Sequence, residues 1–177
     1  MEKSLKSQAI NLGLYLGIAL CLFTVIGYAV DLGILVNYWV ILLILPVAII
    51  IFGIFATAKI KQNLGGFLSF KEAFSSYFIT VSIGLIISST FSVILFNFID
   101  TYAAIEVKNI LISNTENMMK NMGAPLEKIA DSIEKIEEQN TFAIGTQFKS
   151  LMQSIIFFAV IGLIVAAAMK KSKPDTE

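Results

Sequence analysis

Residues 65–100 read GGFLSFKEAFSSYFITVSIGLIISSTFSVILFNFID, and from Phe74 to Ile99 no residue carries a charge. At about 1.5 Å of rise per residue, a helix of that length exceeds the roughly 30 Å hydrocarbon core of a bilayer and crosses it with some tilt. A glycine pair and a basic-aromatic segment precede the apolar run. Ser69-Phe70-Lys71-Glu72 fits a capping box, in which the Ser69 hydroxyl accepts from the Glu72 N–H and the Glu72 carboxylate reaches back. The helix is therefore expected to start slightly before its apolar part. Phe67, Phe70 and Phe74 then lie at interfacial depth, with Lys71 keeping its ammonium in water.

Three further runs have the same character, over residues 8–30, 38–58 and 151–169. The first is too long for the roughly 7–15-residue apolar core of a signal peptide and has no small-residue cleavage site behind it, so it is expected to be retained. The second contains Pro46, which membrane helices tolerate because neighbours re-satisfy the freed carbonyl, and a kink is expected there. The link Asp31 to Asn37 is short enough to force an antiparallel pair. Residues 1–99 thus hold spans one to three, the third over 74–99. Residues 148–177 hold the fourth span and a tail, KKSKPDTE, expected to stop transfer and to be unstructured.

Composition agrees with this division. The chain of 177 residues is 56% hydrophobic with a mean hydropathy of +0.81. Only 15% of it is charged, against about 25% in soluble domains. No charge falls inside the four runs. Net charge is zero, so nothing draws the chain to nucleic acid. All 13 basic residues are lysine and there is no histidine. Histidine bases, histidine metal ligands and bidentate arginine clamps are thereby removed. No nucleophile elbow, CxxC, HExxH or phosphate loop is present. No catalytic residue, metal or cofactor is expected. Cys21, alone, cannot form an intrachain disulfide.

The one sizeable polar region is 100–147. In its first half Val107, Ile110, Leu111, Met118 and Met122 share a helical face, interrupted by Asn114. In its second half Leu126, Ile129, Ile133 and Ile136 follow a 3-4-3 spacing. Met122-Gly123-Ala124-Pro125 between them is the punctuation expected between two helices. A helical hairpin follows, with Val107, Leu111, Met118, Leu126, Ile129 and Ile133 as its expected core. Lysines set its side of the membrane. Lys3 and Lys6, then Lys59, Lys61 and Lys71, then Lys170, Lys171 and Lys173 flank one side, whereas region 100–147 has four lysines against eight acids. Both termini are expected in the cytoplasm and the hairpin outside. The fold class is all-α: an integral membrane four-helix protein with an extracytoplasmic helical hairpin between spans three and four.

Small residues recur every four positions in span one, at Gly13 and Gly17, and in span three, at Ser76, Thr80, Gly84, Ser88 and Ser92. Such stripes let helices approach closely. They serve packing within one chain, an oligomer interface, or a hydroxyl-lined pore of several copies. No ionisable residue lies inside a span, which counts against ion-coupled transport and leaves a passive pore open. Two functions are compatible with these features. One is a non-enzymatic membrane protein, structural or partner-binding through its outer hairpin. The other is a small passive channel or transporter of oligomerised span-three helices. The expected partners are the lipid bilayer and either further copies of the chain or a membrane protein.

The segment GGFLSFKEAF, the four-span layout and the outer region opening with Ile99-Asp100-Thr101-Tyr102 together resemble a bacterial family of membrane proteins, the domain of unknown function 4199 family. The resemblance covers about Gln8 to Lys171 and is sharpest over Gly65 to Phe74. Where members often have proline after the aspartate, this chain has Thr101. The resemblance implies an integral membrane protein and supplies no activity, substrate or catalytic residue; the bacterial cytoplasmic membrane is its expected location.

Overall fold

The computed structural model describes residues 2–171. The tail from residue 172, expected to be unstructured, lies outside them. Helix α1 spans Glu2–Val30, α2 Leu45–Asn63, α3 Phe70–Ile94, α4 Thr101–Asn121, α5 Leu126–Glu138 and α6 Ile144–Met169. Among the described residues, four helical stretches are long and apolar enough to cross a membrane: Lys3–Val30, Val40–Asn63, Phe70–Ile99 and Ile144–Met169. Only 33% of the most apolar window of the first, and 22% of each of the others, is buried within the chain. Most of their apolar surface therefore needs lipid, and the chain is an all-α membrane protein.

Local chemistry explains most helix ends. Val40–Ile44, just before α2, forms a π-helical turn. Pro46 has no N–H, and its ring crowds the preceding turn, so the ladder widens to i→i+5 there. The Asp100 N–H likewise reaches back to the Leu95 carbonyl (2.8 Å) and ends the third span in a π-turn over Leu95–Ile99. The capping box forms as a reciprocal pair. The Ser69 N–H donates to the Glu72 carboxylate at 2.9 Å and the Glu72 N–H to the Ser69 hydroxyl at 3.3 Å. Gly65 and Gly66, at φ of 79° and 85°, turn the chain out of α2. The link between spans one and two is itself ordered. Leu32–Val36 is a 3-10 helix capped by Asp31, which accepts from the Gly33 N–H at 2.8 Å. Helix α6 starts at Ile144, ahead of the apolar run expected from 151, because helix geometry does not stop where apolarity does.

The chain divides into two compact units. The first gathers the residues up to Leu20, Pro46–Ser88 and those from Leu151. Its centre is Tyr77, fully buried among Leu16, Ile49, Val81, Phe158 and Val165. Glycines make the room. A Cβ on Gly53 would stand 2.4 Å from the Tyr77 ring, and one on Gly162 would stand 2.7 Å from it. A second cluster, with Leu5, Ala9, Ala56, Ile60, Leu68 and Ala73, closes the unit.

The sequence GGFLSFKEAF accounts for that closure. Leu68 is fully buried and forms an isolated antiparallel bridge with Lys171, its N–H donating to the Lys171 carbonyl at 2.9 Å and its carbonyl accepting from the Lys171 N–H at 2.7 Å. The Lys171 ammonium lies 5.6 Å from the centre of the Phe67 ring. Nearby, the Lys61 ammonium donates to the last carbonyl of α6, that of Met169, at 2.8 Å. Ala73 is buried, whereas Phe70 is exposed.

The second unit comprises Cys21–Leu45 and Ser89–Ser150. Its core is Val36, Leu95, Phe96, Ala103, Val107 and Phe142, with Tyr28, Leu32, Leu35 and Leu111 packed against it.

Candidate functional site

The second unit holds a set of directed polar bonds, built where span ends meet α4. Asp100 leaves helical geometry (φ −140°) and caps α4, its carboxylate accepting from the Ala103 N–H at 2.9 Å. The same carboxylate accepts from the Tyr28 hydroxyl at 2.9 Å. The Ala103 N–H first, then Tyr28, hold its pKa below the usual value. Four turns further along α4, Asn114 donates to the Val36 carbonyl at 3.3 Å, and the Thr115 and Tyr38 hydroxyls are 2.8 Å apart. Asn114, which interrupts the apolar stripe in sequence, thus faces a carbonyl at the end of the 3-10 link.

Beside the first turns of α4 is a cleft of about 410 Å³. Phe96, Asn97 and Phe142 line its base, α4 contributes Thr101, Ile105 and Lys108, and Glu137 and Glu138 come from the end of α5. The cleft is shaped by directed contacts. Asn97 donates to the Val93 and Phe142 carbonyls at 3.0 and 2.7 Å, and the Phe96 and Phe142 rings stack with centroids 4.2 Å apart. The Lys108 ammonium donates to the Glu137 carbonyl, where a cation complements the C-terminal end of α5. The Asn97 amide and the Lys108 ammonium are thus spent on joining the end of the third span to Phe142 and α4 to α5. Among the described residues, no three His, Cys, Asp or Glu side chains gather in a way that could hold a metal ion.

The hairpin residues singled out from the sequence fall into three groups. Val107 and Ile129 are buried, at 1% and 4% exposure. Leu111 and Ile133 are half-buried. Met118 and Leu126 are exposed, Leu126 at 78%. The expectation that these last two lie in the hairpin core is corrected. Leu126 is the first residue of α5, beside the Gly123 turn, where α4 has already ended. The stripe of α4 packs chiefly on the 3-10 link and the span ends, with α5 as a second neighbour.

The small-residue stripe lies in contact with the chain's own helices. A Cβ on Gly13 would meet Ile83 at 2.8 Å, one on Gly17 would meet Ile87 at 2.8 Å, and one on Gly84 would meet Leu16 at 2.6 Å. Thr80 and Ser76 are fully buried. Their hydroxyls donate to the Ala9 carbonyl at 3.1 Å and the Glu72 carbonyl at 2.7 Å. Ser88 and Ser92 are half-buried.

Sequence reading missed Tyr28, Tyr38, Asn97 and Lys108 as bonding positions, and Gly53 and Gly162 as the housing of Tyr77. A polar residue in the last turn of an apolar run, as at Tyr28 and Asn97, was the available signal.

A family model described as a protein of unknown function (DUF4199) matches residues 11–171. The chain belongs to that family. The DUF4199 match begins inside the first span and ends at Lys171, so it takes in both the Leu68–Lys171 bridge and the polar joints of α4. No curated protein and no solved structure matches the chain. Family membership carries no assigned activity, and nothing in the geometry points to an enzyme.

Proposed function

We propose that this chain is a non-enzymatic, multi-pass protein of the bacterial cytoplasmic membrane, with both termini in the cytoplasm and the α4–α5 hairpin outside, acting as a structural cap that offers α5 to a partner. The observation that carries this reading is the fastening of α4. Two hydroxyl hydrogen bonds and one donated by the Asn114 side-chain amide join it to Tyr28, Tyr38 and Val36, and its buried stripe packs on the link between spans one and two. A segment held this way is a built platform. On it, α5 leaves Glu127, Lys128, Asp131, Glu134, Lys135 and Glu138 exposed. The channel alternative draws no such support, because Ser76 and Thr80 are buried and bonded inside one chain.

Reporter fusions at Lys61 and Gly123 test the topology and should report opposite sides; agreement between them would rule it out. Photocrosslinkers at Asp131 and Glu134 test the role of α5. A discrete protein adduct is expected, and none at either position would remove partner binding. Protein-dependent ion leakage from liposomes would revive the channel.

A further inference from the structure

The apolar stripe of α4 does not end where its packing ends. Val107, Leu111, Asn114, Met118 and Met122 are spaced by three or four residues, so they share one face. Val107 is 1% exposed and Asn114 bonds the Val36 carbonyl. One turn further on the same face, Met118 is 37% exposed, and Met122, the C-cap, is 76% exposed. Leu126, across the Gly123 turn, is 78% exposed. No described residue buries this end of the stripe.

The joints of α4 say at what depth that end lies. Asp100 is bonded to Tyr28, near the end of the first span, and Thr115 to Tyr38, near the start of the second. Spans one and two are antiparallel neighbours in sequence, so Tyr28 and Tyr38 lie toward the same face of the membrane. Trp39, 73% exposed, and Tyr102, 84% exposed, are the amphipathic rings expected at headgroup level, one beside each joint. A helix tied at both places runs along the membrane interface and does not stand out from it. The face that packs down onto the span ends continues, beyond Thr115, as Met118 and Met122, and there it points toward the same leaflet.

We propose that the end of α4 and the first turn of α5 rest in the lipid interface of that leaflet, burying Met118, Met122 and Leu126 between headgroups and acyl chains. The occupant is neutral phospholipid. Region 100–147 carries four lysines against eight acids, so anionic lipid would repel it, and attachment depends on apolar burial. This deepens the platform reading, by assigning one edge of the hairpin to lipid, and it rests on that reading only for the four-span layout.

The test is made on the full chain in phosphatidylcholine vesicles. In a Cys21→Ser background, Met122→Cys and Leu126→Cys carry spin labels, with Glu134→Cys as the aqueous control and Leu22→Cys, 56% exposed in the first span, as the lipid control. Collisions with oxygen, which concentrates in lipid, are compared with collisions with a water-soluble nickel chelate. The oxygen-to-chelate ratio at 122 and 126 is expected to be several-fold above that at 134 and to approach that at 22. A ratio equal to that at 134 would place the tip in water and overturn the proposal. Low accessibility to both reagents would mean that protein, from a second copy or a partner, covers the tip, and would also overturn it. Sidedness is read separately: an impermeant maleimide on intact cells labels Glu134→Cys only if the hairpin is outside. Failure there removes the orientation and leaves the depth measurement standing.

Discussion

The two units of this chain are held by different means. In the unit around Tyr77, helices meet through glycine. Gly13, Gly17, Gly53, Gly84 and Gly162 each leave a gap that a side chain of another helix fills, at distances no Cβ would permit. In the unit around Val107, the joints are polar and directional: Tyr28 to Asp100, Tyr38 to Thr115, Asn114 to Val36, Asn97 to Phe142. The solvent accounts for the contrast. Between helices in lipid, apolar burial provides no net drive, so close van der Waals approach has to supply the association. At span ends water and headgroups are present, and there hydrogen bonds and caps select one arrangement among many.

The sharpest way to break this contrast is to fill a gap. Gly53→Leu would force a branched side chain into the Tyr77 ring, and the expected outcome is loss of the folded protein from membranes. The milder Gly53→Ala should cost about 1–3 kcal/mol, the usual range for overpacking, read as a lower melting temperature in detergent. An unchanged melting temperature would show that the ring moves aside freely.

A charge in the other unit should act differently. Val107→Asp places an unpaired carboxylate among Val36, Leu95 and Phe142. A cost of about 3–5 kcal/mol is expected for such a group when buried. Insertion should be normal while α4 and α5 become sensitive to added protease. Simultaneous loss of the Tyr77 unit would mean that the two units do not differ in this way.

Tyr77→Phe is a smaller probe of the first unit. The Tyr77 hydroxyl is buried without a hydrogen-bond partner among the described residues. A buried unpaired group costs about 1–3 kcal/mol, so its removal should leave stability unchanged or raise it. A fall in melting temperature would reveal a partner, such as an internal water.

The smallest effect is expected at Asp100. Its pKa is lowered in the folded protein by the Ala103 N–H and the Tyr28 hydroxyl. A depressed carboxylate contributes stability above its unfolded pKa, near 4, and loses that contribution as pH falls through its folded value. Protease protection of α4 should therefore be full at neutral pH and decline in acid. The decline should be weaker in Asp100→Asn, which no longer titrates. Identical acid profiles would assign the loss to other groups.

How much of this was legible beforehand follows from the range over which each signal acts. A run of uncharged residues, a serine three before a glutamate, or a glycine before a proline acts within a few residues of itself. The four spans, the Ser69–Glu72 cap and the Gly123 turn could accordingly be read from the chain alone. The small-residue stripes announced that helices would approach closely, but not that Gly13 would face Ile83 or that Gly84 would face Leu16. The amphipathic pattern of 101–138 announced two helices with apolar stripes. It left open what each stripe would cover, and α4 turned out to lie on the 3-10 link Leu32–Val36 as much as on α5, with Leu126 exposed. Periodicity places a residue on a face. Which surface comes to meet that face depends on contacts between residues as distant in sequence as Tyr28 and Asp100, and those are set only when the helices have packed.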